Sequence, residues 1–168
     1  MTSPFDDETL AKARAVLDAC RAAGIMLATA ESCTGGLLSA ALTAIPGASD
    51  VIDRGFVTYS YAAKSQLLGV PPDLIAAQGA VSEAVARAMA LGALARARAE
   101  IAIAITGVAG PGSDSQAKPA GLVHLAAARA GADVMHEKRQ FGDIGRDAVR
   151  RLGVLASLDL ALRCLGSG

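Results

Sequence analysis

Residues 25–45 read Ile25-Met26-Leu27-Ala28-Thr29-Ala30-Glu31-Ser32-Cys33-Thr34-Gly35-Gly36-Leu37-Leu38-Ser39-Ala40-Ala41-Leu42-Thr43-Ala44-Ile45, and this stretch decides the fold. Ile25 to Ala30 is a short apolar run of buried-strand length. It empties into a polar turn with two glycines, and the apolar helix Leu37 to Ile45 follows, stopped by Pro46-Gly47. A strand, a tight turn and a helix in this order are the first unit of an α/β domain. In such sheets ligands gather outside the carboxyl ends of the strands, which is where Ser32 falls.

Working outward, Leu10, Ala13, Val16, Leu17 and Cys20 share one helical face in a segment with acids in its first turn and a stop at Gly24. Val51 to Ser60 alternates and is rich in β-formers, so a second strand is expected, with Lys64 just beyond its end. Pro71-Pro72 separates two short helices, and Ser82 is an N-cap for an Ala-rich helix running to about Arg98. Ile101 to Ile105 is a β-branched strand leading into a second glycine-rich turn, Thr106-Gly107-Val108-Ala109-Gly110-Pro111-Gly112. Gly121 to Ala128 and Val134 to Phe141 read as two strands around Gly131, and a helix bearing Val149, Leu152, Ala156 and Leu160 closes the chain. The expectation is one domain over residues 1–168, a three-layer α/β/α sandwich on a mixed, mostly parallel sheet whose last strands add antiparallel edges.

The composition narrows the function. Sixteen basic and sixteen acidic residues cancel, and no basic stripe interleaved with aromatics marks a nucleic-acid partner. Cys20, Cys33 and Cys164 form neither a C-x-x-C pair nor an even set, which fits a reducing, cytoplasmic setting and argues against a disulfide framework or a zinc site. Asp6, Asp7 and Glu8 are the reverse of a signal peptide's basic start. The uncharged run from Ser32 to Ser49 is broken by Gly35, Gly36, Pro46 and Gly47, so it is no membrane span despite a mean hydropathy of +0.40. With 52% hydrophobic but only 3% aromatic residues, the core must be built of Ala, Val, Leu and Ile.

Ser32 is a candidate nucleophile or anion site, because backbone amides and a helix terminus converge at such a turn. A serine hydroxyl needs a base to attack an amide. His124 lies within an apolar strand and reads as a core or edge histidine, while His136, beside Glu137 and Lys138, reads as solvated. Lys64 is the better base: flanking alanines can strip its water, and burial favours the neutral amine. The plain alternative is a surface helix lysine. By strand alternation Tyr59 and Tyr61 point to the same side, either to orient a proton or to pack. Cys33 is a rival nucleophile whose thiol a helix terminus could acidify. The second glycine turn has neither the P-loop nor the dinucleotide pattern, though its amides could cradle an anion. Arg146 and Arg150, one helical turn apart, could clamp a phosphate or simply face solvent.

Four segments in register, Ala30-Glu31-Ser32-Cys33-Thr34-Gly35-Gly36, Val57-Thr58-Tyr59-Ser60 with Lys64, Gly79-Ala80-Val81-Ser82-Glu83, and Thr106 to Gly112, closely resemble the CinA C-terminal domain family from about Leu10 to Leu165. The family includes nicotinamide-nucleotide amidohydrolases, which turn nicotinamide mononucleotide into nicotinic acid mononucleotide and ammonia in pyridine-nucleotide salvage. The resemblance implies Ser32 as nucleophile, Lys64 as its base and Tyr59 as an assistant. It also implies a substrate site from Thr34, Gly35, Gly36, Thr106, Gly107, Gly110, Gly112 and Arg146, with no cofactor and no metal. Arg146 would take the ribose phosphate, with Arg150 and Arg139 as other candidates. The family often forms homo-oligomers. Tyr61, where the family usually has Asn, and Ser113-Asp114-Ser115, where it usually has more glycine, are departures that bear on substrate fit. The molybdopterin-binding-like N-terminal domain of many members is absent, so a stand-alone amidase-type domain is expected. A non-catalytic nucleotide-binding or regulatory domain is the rival, and a thiol sensor at Cys33 a third reading.

Overall fold

The structure, a computed structural model, describes residues 2–114 and 117–166. Helix α1 (Asp7–Ala23) starts on the Asp6 carboxylate, which accepts from the Thr9 amide, and stops at Gly24, whose φ of 66° suits glycine. Strand β1 (Leu27–Glu31), helix α2 (Leu37–Thr43) and strand β2 (Ile52–Val57) follow. Then come helices α3 (Tyr61–Leu68), α4 (Pro72–Gln78) and α5 (Glu83–Arg96), strand β3 (Ile101–Gly107), the hairpin β4 (Leu122–Arg129) and β5 (Met135–Gln140), and helix α6 (Arg146–Gly166). Ser60 and Ser82 cap α3 and α5 through their hydroxyls, and the Ser82 cap agrees with the sequence reading.

The five strands stand in the order β2-β1-β3-β4-β5, with β1 parallel to both β2 and β3, and the β3–β4 and β4–β5 pairs antiparallel. Only β4 runs against the other four, so the expected mixed sheet with late antiparallel strands is the one found. Alternation along the strands divides the core in two. Leu27, Ile101, Ile103, Ile105, Val123 and Leu125 pack with α1, α2 and α6, whereas Ala28, Ala30, Ala102, Ala104, Ala126 and Ala128 pack with α3, α4 and α5. Alanine on one face lets α5 come close to the sheet, as the aromatic-poor composition required. At Gly92 of α5 a Cβ would lie 2.0 Å from the Leu68 carbonyl oxygen at the end of α3, so the two helices meet where only glycine fits. Among the described residues no helix is long and apolar enough to cross a membrane.

The parallel register positions the site. Glu31 stands beside both Val57 and Ile105, so β1, β2 and β3 finish together at one edge of the sheet. Ser32, the Thr58–Lys64 segment and Thr106–Gly107 therefore emerge side by side, though far apart in sequence.

Candidate active site

Strand alternation sends Glu31 to the α2 face and Ser32 to the opposite face, toward α3 and α5. The turn between β1 and α2 needs Gly35 and Gly36, with φ of 57° and 101°. Gly36 provides no side chain to cap α2. Glu31 caps the helix instead. Its carboxylate accepts from the Leu38 amide (2.8 Å), the Ser39 amide (3.0 Å), the Ser39 hydroxyl (2.8 Å) and the Thr34 hydroxyl (2.7 Å). Both Glu31 and Thr34 are wholly buried. The positive end of α2 thus already holds an internal carboxylate. The Gly35 amide also turns inward, donating to the Ser32 carbonyl at 3.1 Å. Cys33 and Thr34 have amides with no backbone acceptor among the described residues.

Lys64 sits in the first turn of α3 and reaches over the sheet edge. Its Nζ donates to Ser32 Oγ at 2.9 Å and to the Thr58 carbonyl at 2.8 Å, with the Tyr59 carbonyl at 3.4 Å. It is 1% exposed, and no carboxylate pairs with it among the described ion pairs. Burial lowers its pKa from 10.5 to about 8, with the nearby Cys33 opposing weakly. With two protons held by carbonyls, the third direction of a neutral amine, its lone pair, faces the Ser32 hydroxyl. The surface-lysine alternative is excluded. Cys33 is also near, but burial pushes its thiol up to about 12, so it is no thiolate and a poor nucleophile.

A cavity of about 260 Å³ opens above this pair, lined among others by Ser32, Cys33, Lys64, Thr106, Gly107 and Arg146. Tyr59 and Tyr61 line it too and are mostly exposed, so the packing alternative does not apply. Tyr59 lies past the end of β2 and Tyr61 opens α3, so strand alternation does not govern them. Arg146 at the start of α6 donates to the Tyr59 hydroxyl (2.9 Å) and the Gly110 carbonyl (2.8 Å). Thr106 faces the cavity while its hydroxyl donates to the Ala80 carbonyl at 2.8 Å. Thr34, Gly35 and Gly36 lie behind the nucleophile rather than in the cavity wall. Gly110 contributes by holding Arg146, and Gly112 lines a neighbouring hollow with Ser113 and Asp143.

The Arg146–Arg150 clamp does not form. Arg150 donates to the Thr34 carbonyl at 3.1 Å and lines a different hollow, and Arg139 is paired with Glu137 on β5. His124 and His136 are away from Ser32, stacked with Nδ1 and Nε2 2.9 Å apart. His124 is a buried strand histidine as read, but His136 is shielded rather than solvated, its side chain only 12% exposed beside Glu83. Sequence reasoning gave no site role to Ala80, Val81 or Asp114, which also line the cavity. The Gly79–Glu83 motif was the one signal pointing to the first two. Ser115 falls outside the described residues. Among the described residues no three His, Cys, Asp or Glu side chains gather to hold a metal ion.

The CinA C-terminal domain family matches residues 9–165. A CinA-like protein of Synechococcus sp. (strain CC9902) is 52% identical over 163 residues, 95% of this chain but 38% of its own length. A CinA-like protein of Gloeobacter violaceus is 46% identical over 158 residues, covering 94% and 37%. The chain thus spans less than two-fifths of these curated relatives. Among solved structures, the competence/damage inducible protein CihA from Agrobacterium tumefaciens superposes with a TM-score of 0.94 at 46% identity, over 98% of this chain and 99% of that one. A CinA superfamily protein from Escherichia coli gives 0.88 at 35% identity, over 96% and 94%.

Proposed function

Since the chain belongs to the CinA C-terminal domain family, we propose that it is a Ser/Lys amidohydrolase acting on the carboxamide of nicotinamide mononucleotide. One observation carries this reading above the others: a buried lysine with no carboxylate partner among the described residues has its Nζ 2.9 Å from a serine hydroxyl that lines a cavity. Neutral Lys64 takes the Ser32 proton as Oγ attacks the carboxamide carbon. The Cys33 amide, next to the nucleophile and with no backbone acceptor among the described residues, serves as donor for the oxyanion, with the Thr34 amide behind it. Lys64 then returns the proton to the amide nitrogen, which leaves as ammonia. The Ser32 ester is hydrolysed by a water whose proton passes to Lys64 and from there to the departing Ser32 oxygen, releasing nicotinic acid mononucleotide and restoring the neutral amine. Arg146 supplies the cation for the phosphate, exchanging its bond to Tyr59 for the substrate. Tyr59 helps to hold Lys64 through its carbonyl. A cytoplasmic, homo-oligomeric protein working in pyridine-nucleotide salvage fits this role.

The test is ammonia release from nicotinamide mononucleotide by the purified protein in chelator. Formation of the acid mononucleotide with ammonia in equal amounts supports the reading. Tight binding without ammonia would instead favour a nucleotide-binding domain that does not turn over.

The Lys64 pKa sets the pH dependence. The reactive form is the neutral one, so kcat/KM is expected to rise about tenfold per pH unit below about 8 and to level off above it. A steady-state profile over pH 6–10 checks this. A plateau already reached at pH 6, or a rise delayed to about 10.5, the ordinary lysine value, would contradict a neutral, buried base.

A further inference from the structure

Tyr61 lines the cavity above Ser32 and Lys64, and it also borders an apolar groove of about 510 Å³ walled by Ala62, Pro72, Ile75 and Ala76 between α3 and α4. It is the first residue of α3, fixed there by the Ser60 cap, and it precedes Lys64 by three positions, on the same helix face. The ring is 59% exposed. Unlike Tyr59, whose hydroxyl is tied to Arg146, Tyr61 has a hydroxyl in none of the described hydrogen bonds. An aromatic ring at a capped helix start, mostly open to solvent and lining the same cavity as the reactive pair, is placed to meet a ligand.

We infer that Tyr61 is a specificity-determining residue that stacks on the ring bearing the carboxamide while the carboxamide carbon meets Ser32. This rests on the proposed hydrolysis of a pyridine mononucleotide and names the part of the substrate it reads. The pyridinium ring of the oxidised mononucleotide is flat and cationic, and the electron-rich face of a phenol attracts both properties. The apolar groove lies directly beside Tyr61. A non-aromatic side chain at this position could hydrogen-bond a ligand but could not stack on it.

The experiment measures binding of nicotinamide mononucleotide by calorimetry in a Ser32→Ala background, where no turnover intervenes, for Tyr61, Tyr61→Phe and Tyr61→Asn. Tyr61→Phe is expected to bind within about twofold of the parent, and Tyr61→Asn about five- to tenfold more weakly. In the active background Tyr61→Asn is expected to raise KM by the same factor while kcat stays within about twofold. Equal affinities for Asn and Tyr, a Phe variant as weak as the Asn one, or a loss confined to kcat would each overturn the inference. So would absence of mononucleotide binding. If the mononucleotide binds wild type without ammonia release, the hydrolytic reading fails on its own, and the affinity series still decides the role of Tyr61.

Discussion

Replacing Lys64 by methionine is expected to lower amide hydrolysis by about 10³- to 10⁴-fold, at the upper end of what a positioned general base contributes. Methionine follows nearly the same path through the protein, so the loss reads chemistry rather than a cavity. Two effects on stability oppose one another. The Thr58 carbonyl loses its 2.8 Å donor, which weakens the fold. Against this, a lysine whose folded pKa is depressed to about 8 binds its proton less tightly in the native state than in the unfolded chain. Its burden on the fold is therefore full below pH 8 and fades as the pH rises toward 10.5. Removing it at neutral pH relieves that burden, so the variant is expected to stay folded, with a thermal midpoint within a few degrees of wild type. Ammonia release and a melting curve on the same preparation check both halves. Activity within tenfold of wild type in a folded Lys64→Met protein would exclude Lys64 as the base.

Glu31→Ala is expected to destabilise the protein by about 3–5 kcal/mol, because three buried or part-buried donors lose their acceptor at once, each at about 1–3 kcal/mol. The carboxylate accepts four hydrogen bonds in a place closed to water, and alanine would leave the Leu38 and Ser39 amides and the Thr34 hydroxyl without partners. Those donors belong to the first turn of α2 and, for Thr34, to the turn that carries Ser32, so the nucleophile should lose its position as well. Urea unfolding monitored by circular dichroism measures the first effect and residual ammonia release the second. A cost below about 1 kcal/mol would mean that water replaces the carboxylate, and that Glu31 does not build the turn.

Glu31 also marks the limit of what the sequence disclosed. An acid beside a serine in a glycine turn looks like a solvated charge or part of a reactive group. The sign of its structural role was indirect: α2 begins after Gly36 and carries no Ser, Thr, Asp or Asn cap, so its first amides had to find an acceptor elsewhere. The strand-turn-helix unit, the Ser82 cap, the isoleucine strand and the late hairpin were all legible, because apolar periodicity and glycine or proline stops are local signals. The Ser32–Lys64 pair was not legible from position alone. It exists because β1 and β2 lie parallel and end together, and pairing register between separated strands leaves no local trace. Lys64 was a candidate base from its flanking alanines, and the resemblance to a family sharpened that pairing. It also implied substrate contacts for Thr34, Gly35 and Gly36, which the backbone turns behind the nucleophile. Arg146 and Arg150, alike on a helical wheel, separate because one meets the Gly110 loop and the other the Thr34 carbonyl.

Ser32 as nucleophile is tested by ammonia release from nicotinamide mononucleotide by Ser32→Ala beside wild type, in chelator at about pH 8.5, above the Lys64 pKa of about 8. Alanine removes the attacking oxygen and little else, since the residue is 8% exposed and its backbone amide remains bonded to the Ile105 carbonyl at 3.0 Å. The expected result is rapid, stoichiometric ammonia from wild type and a rate lower by about 10³-fold or more from the folded variant. Equal rates from the two proteins would contradict it.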